Sequence, residues 1–171
     1  MNILDDSITL LDVLSGWGLR ECKKYPEIQV PSGQPTILGT EVVLRHVPKL
    51  IARILLAEPL DPAKPRGTFR ADFGLEDIDK LILHCGVALT AAPANCFDNE
   101  EVRRLVETPD FTPIVCTVQV ADDDTDHLVG PFVICDGWHR AAAWLISTHE
   151  GQPYRLTAKV IKTKRPLVQL T

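Results

Sequence analysis

A short polar stretch, Asp136-Gly137-Trp138-His139-Arg140, lies between two apolar runs of the chain. Gly137 is free to adopt the backbone angles of a tight turn, and it lets a ligand approach the main chain closely. The first amides of a following helix have no acceptor within the helix, and their partial positive charge suits phosphate. His139 and Arg140 add side-chain donors, and arginine can bind phosphate through two nitrogens. The stretch predicts a phosphate-binding turn, in which Asp136 caps the helix amides when no ligand is bound.

The same five residues have a simpler interpretation. Asp-Gly is a common turn sequence, and a His-Arg pair at the beginning of a helix can be solvated without binding a ligand. The residue types alone leave both interpretations open.

The turn is predicted to join a strand to a helix. Residues 131–136 form an apolar run of strand length, and residues 138–150 have helical spacing before Gly151. One face of this helix is predicted to pack on a sheet, with His139 and Arg140 projecting away from it. The packing face consists of Trp138, Ala141, Ala142 and Leu145.

The rest of the chain predicts an α+β fold, with a small mixed sheet flanked by helices. Further strands are expected at 112–120 and 155–163, with an acidic hairpin connection at 121–130. Helices are expected at 7–15 with Ser7 as N-cap, at 48–57 from Pro48, at 75–86, and at 100–107 after Asp98 or Asn99. The prolines and glycines of residues 58–74 predict a long irregular connection. This organisation divides the chain into a helical N-terminal extension, 1–74, packed on a core domain, 75–171, in one compact unit.

Composition limits the class of protein. The 171 residues are 45% apolar and 24% charged, and no apolar run approaches the roughly 18 residues that span a bilayer. Acids stand near the first residue where a secretory signal would carry Lys or Arg. Five cysteines without a CxxC pair predict reduced, mostly buried thiols. We therefore expect a cytoplasmic protein without a membrane partner.

Charge is distributed unevenly along the chain. The net charge is −5, which argues against a general nucleic-acid coat. Residues 1–127 hold 12 Lys and Arg against 21 Asp and Glu, whereas residues 128–171 hold 6 against 2. The basic part contains the Asp136–Arg140 stretch and is compatible with a local anionic ligand, although a solvated C-terminal strand would have the same composition.

The motif "ICDGWHRAAAWLI", residues 134–146, resembles the Asp-Gly-x-His-Arg signature of the ParB/sulfiredoxin-like superfamily. The resemblance covers residues 98–163 and extends more weakly from 75. It implies a strand, a turn and a helix whose beginning binds nucleotide phosphates at Asp136, Gly137, Trp138, His139 and Arg140.

Departures from the superfamily pattern reduce the number of its activities that we expect of this chain. Sulfiredoxins have their catalytic cysteine where this chain has Trp138, and Cys135 lies three residues earlier, which argues against sulfinic-acid reduction. Chromosome-partitioning members carry Arg-Arg in the motif and a DNA-binding domain after it, and this chain has His139-Arg140. The sequence pattern of this chain resembles the short single-domain members of the superfamily instead. The Osa-type plasmid fertility-inhibition effectors, described as acting on ATP and DNA, are an example.

The resemblance implies hydrolysis of ATP or another nucleoside triphosphate, with His139 and Arg140 as catalytic residues and DNA cleavage as a further activity at the same site. A carboxylate upstream of the motif, Glu100 or Glu101, is the candidate general base, and we favour Glu101. Mg²⁺ is expected with the nucleotide, and the acidic residues 121–127 could hold it, although such a hairpin tip can equally be a solvated turn.

Two other functions remain open. The first is a non-catalytic inhibitory protein that keeps the fold and binds a protein partner through residues 1–74. The second is a small-molecule kinase, since free-serine kinases belong to the same superfamily.

Overall fold

The computed structural model describes residues 1–10, 12–14, 54, 57–60, 67–121, 124–151 and 154–167. Within these ranges, six strands form one mixed sheet. They are β1 (Asn2–Asp5), β2 (Thr68–Phe73), β3 (Leu81–Leu83), β4 (Ile114–Ala121), β5 (Asp124–Asp136) and β6 (Leu156–Thr163). The α-helices are α1 (Ala94–Phe97), α2 (Glu100–Glu107) and α3 (Trp138–His149), and two 3₁₀ helices span Leu75–Lys80 and Leu89–Ala91. This mixed architecture agrees with the expected α+β class.

The strand order is β1-β2-β6-β4-β5-β3. The pairs β1/β2, β2/β6 and β4/β5 are antiparallel, and the pairs β4/β6 and β3/β5 are parallel. Because β5 runs antiparallel to β4, its last residue, Asp136, pairs with Val115 near the beginning of β4. The chain therefore leaves β5 beside Ile114 and enters α3 there.

Each face of the sheet is covered by apolar residues from other elements. Alternating β4 residues Ile114, Cys116 and Val118 share one hydrophobic cluster with Trp144 of α3. The intervening Val115 belongs to a second cluster. The partners of Val115 in that cluster come from both strands and flanking segments: Leu10, Val13, Leu14, Ile54, Ala57, Val133, Cys135, Ile161 and Leu167. The strands predicted at 112–120 and 155–163 are confirmed in outline, since strand alternation sorts their side chains between two faces. The strand predicted at 131–136 is the second half of β5, so the connection predicted at 121–130 is wrong for residues 124–130, which pair with β4.

Helix α3 is held closely between the sheet and α2. Its alanines at 141, 142 and 143 are fully buried, and Ala142 and Ala143 pack with Val102 and Leu105 of α2. The Trp144 indole nitrogen donates a hydrogen bond to the Tyr154 carbonyl at 2.7 Å. The small alanine side chains allow α2 to lie close, so the beginning of α3 has neighbours on α2 as well as on the sheet.

The helix predicted over 75–86 is wrong in its second half. A 3₁₀ helix ends at Lys80, and Leu81–Leu83 form β3, parallel to residues 132–134 of β5. Leu81 and Leu83 are buried, and their burial against β5 outweighs the local helical spacing. The buried Asp77 carboxylate fixes the preceding turn, because it accepts hydrogen bonds from the Gly74 amide at 3.2 Å and the Lys80 ammonium at 2.8 Å.

The irregular connection predicted over 58–74 is wrong for residues 68–73. These residues form β2, which pairs with β1 and β6 and buries Phe69, Ala71 and Phe73. Strand β1 is likewise not indicated by the sequence pattern. Strands from both sides of residue 74 therefore belong to the same sheet.

The first described helical segment begins later than predicted. Leu10 and residues 12–14 are helical. The Asp12 amide donates to the Thr9 hydroxyl at 3.2 Å, and the Thr9 amide donates to the Asp12 carboxylate at 2.9 Å. This reciprocal pair makes Thr9 the N-cap instead of Ser7, whose hydroxyl donates to Asp5.

The helix predicted from Pro48 lies outside the described residues except at Ile54, which is helical, and Ala57. Among the helices within the described ranges, none has the length and apolar composition needed to cross a membrane.

Candidate functional site

Gly137 forms the turn between β5 and α3. It is the N-cap of the helix, with φ 85° and ψ 26°, and its carbonyl accepts a hydrogen bond from the Ala141 amide at 3.0 Å. A Cβ atom at this position would lie 2.5 Å from Arg140 Nη2 and 2.7 Å from Ile114 Cγ2. Both the left-handed backbone and the close approach of these two side chains require glycine here.

Arg140 folds back over the turn instead of projecting into solvent. Its Nη2 atom donates to Asp136 Oδ2 at 3.2 Å, and its Nη1 atom lies 3.8 Å from Asp110 Oδ2. The arginine side chain is only 13% exposed. Asp136 therefore pairs with Arg140, and Gly137 occupies the N-cap position that the sequence assigned to Asp136.

His139 contacts its neighbour in the chain, Trp138. Its ring stacks on the adjacent Trp138 ring, with centroids 3.7 Å apart and planes inclined by 31°. Both side chains are half-buried. The stack holds the imidazole at the beginning of α3, where the helix amides carry partial positive charge.

Glu101 lies in the first turn of α2, which is capped by the Asn99 side chain. Its carboxylate accepts hydrogen bonds from Arg104 at 2.7 Å and 3.0 Å. These bonds, together with the charges of Arg104 and His139, lower the pKa of Glu101 below its usual value. Glu101 lies on α2, which packs against α3. A lowered pKa also makes Glu101 a weaker base than proton abstraction near neutral pH favours. The alternative carboxylate, Glu100, is exposed on α2.

Asp110 is a residue of this cluster that the sequence did not indicate. A hydrogen bond from the Thr112 hydroxyl is the strongest influence lowering its pKa, and the charges of Arg140 and Arg104 act in the same direction against the effect of burial. The Thr112 amide donates to Asp110 Oδ1 at 2.9 Å, so the carboxylate is held in an Asx turn. The sequence PDFTP could have indicated this turn, but the contact with Arg140 arises only from the tertiary fold.

The cluster around the α3 turn thus contains three carboxylates and two arginines, with His139 at its edge. The acids are Glu101, Asp110 and Asp136, and the bases are Arg104 and Arg140. Each arginine already has a carboxylate partner. A phosphate binding here must therefore compete with carboxylates of the protein as well as with water.

No group of three or more His, Cys, Asp or Glu side chains is arranged to hold a metal ion within the part of the chain that the structure describes. Two acids of the hairpin considered for Mg²⁺, Asp122 and Asp123, lie outside that part.

Cys135 does not belong to the α3 turn. It packs in the cluster with Val115 and Ile161, on the opposite sheet face from Trp144. Burial raises the pKa of its thiol to about 12, although hydrogen bonds with Thr117 act in the opposite direction. The thiol is therefore protonated at neutral pH and is a poor nucleophile.

No protein-family model, curated protein or solved structure matches this chain. The resemblance to the ParB/sulfiredoxin-like superfamily therefore rests on the residues 134–146 and their strand–turn–helix setting.

Proposed function

We propose that this chain has a ParB/sulfiredoxin-like fold, binds ATP or another nucleoside triphosphate at Gly137–Arg140, and hydrolyses it. One observation carries the proposal: the Arg140 guanidinium lies directly over a left-handed glycine at the beginning of the 12-residue helix α3. The Arg140 guanidinium can donate two hydrogen bonds, and the first amides of the helix can donate others to a ligand at the same position.

In the proposed complex, phosphate oxygens accept hydrogen bonds from the first amides of α3 and from Arg140. The longer of the two Arg140 contacts, 3.8 Å to Asp110, is the one that the phosphate replaces, while Asp136 continues to hold the guanidinium. His139 adds a donor at the edge of the site. These positive groups stabilise the charge that develops on the phosphates during transfer.

Glu101 is proposed as the residue that orients water, with its low pKa keeping it ionised. When bound, Mg²⁺ would neutralise phosphate charge and accompany the nucleotide. DNA cleavage at the same turn belongs to the same proposal, because it also involves attack at a phosphorus centre.

A second candidate function is a non-catalytic inhibitory protein with the same fold. The pairing of Arg140 with both Asp136 and Asp110 favours it, since a purely structural ion-pair network would have the same geometry. In this case the turn stabilises the fold, and a protein partner binds elsewhere.

Nucleotide binding by calorimetry, followed by phosphate release, tests the proposal. Wild type is expected to bind and hydrolyse ATP in the presence of Mg²⁺, and the double variant His139→Ala/Arg140→Ala to lose both activities. Arg165→Ala is a matched control, because it also removes an arginine from an ion pair, here with Glu58, outside the proposed site.

Binding and turnover that are absent in wild type would overturn the enzyme proposal and favour the inhibitory protein. Turnover that survives in the double variant would overturn only the assignment of His139 and Arg140. Phosphorylated product formed from added serine would assign a small-molecule kinase instead.

A further inference from the structure

Phe111 is the most exposed large apolar side chain among the described residues. It is 67% exposed and lies in the segment between α2 and β4. Its ring meets the Tyr154 ring edge to face, with centroids 5.3 Å apart and planes at 80°. This arrangement is the preferred geometry of an aromatic pair, and the exposure of Phe111 leaves ring surface open to solvent.

Tyr154 forms the fixed half of the pair. Its carbonyl accepts the 2.7 Å hydrogen bond from the Trp144 indole, and its side chain is half-buried. Trp144 is fully buried in the core, so Tyr154 is attached to the body of α3. Phe111 is thus held against a rigid support although it gains little from burial itself.

The position of Phe111 connects it to the α3 turn. It directly follows Asp110, whose carboxylate lies 3.8 Å from the Arg140 guanidinium. Consecutive Cα atoms are about 3.8 Å apart, so the backbone of Phe111 lies next to the residue whose carboxylate contacts that guanidinium. The base of a nucleotide whose phosphates contact Arg140 is separated from them by one sugar, so it can reach the segment that contains Asp110 and Phe111.

We propose that Phe111, supported by Tyr154, stacks on the base of the nucleotide whose phosphates bind at Gly137–Arg140. The inference rests on the proposed function and adds the second half of the ligand site. Aromatic faces stack on any base, so the platform predicts similar affinities for ATP, GTP, CTP and UTP rather than selection of one base.

The test compares nucleoside triphosphates with inorganic tripolyphosphate, which carries the phosphates and no base. Wild type is expected to bind each nucleoside triphosphate more tightly than tripolyphosphate. Phe111→Ala should reduce nucleotide affinity by about five-fold to a hundred-fold, since stacking on one aromatic ring contributes that much per base. The same variant should bind tripolyphosphate as wild type does.

Three further variants serve as controls. Phe111→Trp and Tyr154→Phe keep the aromatic pair and should keep nucleotide affinity. Leu75→Ala truncates another exposed apolar side chain, on the 3₁₀ helix Leu75–Lys80, and should have no effect. Thermal denaturation of each variant checks that the fold is unchanged.

Two results would overturn the platform and leave the proposed function intact. One is a Phe111→Ala variant that binds nucleotides as tightly as wild type. The other is a wild type that binds tripolyphosphate as tightly as every nucleotide. If wild type binds neither ligand, the proposed phosphate site fails, and the platform fails with it.

Discussion

Substitution of Gly137 by alanine should destabilise the protein more than an ordinary turn substitution. The residue has φ 85°, and an L-residue in the left-handed region costs about 1–2 kcal/mol. The new Cβ would also lie 2.7 Å from Cγ2 of Ile114, a fully buried side chain that cannot move freely. Overpacking of this kind costs about 1–3 kcal/mol. Together these effects predict a loss of about 2–5 kcal/mol in the free energy of unfolding, measured by urea denaturation.

Gly151→Ala provides the matched control. Gly151 has a similar φ of 81°, but a Cβ atom added there would meet no other group of the described residues within 4 Å. Only the backbone cost of about 1–2 kcal/mol should remain. If Gly137→Ala destabilises the protein no more than Gly151→Ala does, the close packing of Arg140 and Ile114 over the turn is not what requires glycine.

Three other perturbations follow from the described contacts. Asp110→Asn removes a carboxylate that competes for Arg140 and should raise tripolyphosphate affinity about two- to five-fold by calorimetry. Burial would raise the pKa of Asp77, but hydrogen bonds from Lys80, the N-terminal ammonium and the Gly74 amide lower it to about 2. Because the folded pKa is depressed, the ionised carboxylate stabilises the fold fully above pH 3.8, and this stabilisation should be lost as pH falls from 3.8 to about 2. The loss should be about 2 kcal/mol in the free energy of unfolding, and it should be absent in Asp77→Asn. A thiol reagent should modify the exposed Cys85 in the folded protein and Cys135 only after unfolding.

Unchanged or weaker anion binding by Asp110→Asn would show that this carboxylate does not compete with the ligand. A wild type and an Asp77→Asn variant with parallel stability profiles at acid pH would remove Asp77 as a source of the acid sensitivity. Rapid modification of Cys135 in the native state would contradict its burial.

The parts of the fold that follow local periodicity were predictable. β4 alternates between two buried faces, and β6 buries every second residue from Leu156 to Val160. α3 begins directly after Gly137 and ends before Gly151, so sequence pattern and structure agree there. Leu81–Leu83 could not be assigned in the same way, because three apolar residues fit a helix face as well as a short parallel strand. Their pairing with β5 is a contact between distant residues that no local pattern encodes.

The candidate site was likewise predictable only where the local sequence determines the structure. The glycine turn was predictable, because Asp-Gly between an apolar strand and a helix restricts the backbone. The orientation of the Arg140 side chain was not predictable, because the positions of Asp110 and Ile114 beside it depend on the packing of α2 and β4 around α3. The role proposed for the exposed Phe111 ring could not be predicted either, because it depends on the contact of the neighbouring Asp110 with Arg140.

Phosphate binding at the beginning of α3 is tested most directly by amide chemical-shift changes during titration with tripolyphosphate. A ¹H–¹⁵N spectrum of the wild-type chain reports each backbone amide separately. The proposal predicts that the largest saturable shifts occur at Gly137, Trp138, His139 and Arg140. Shifts that are absent, or that are confined to residues away from this turn, would contradict it.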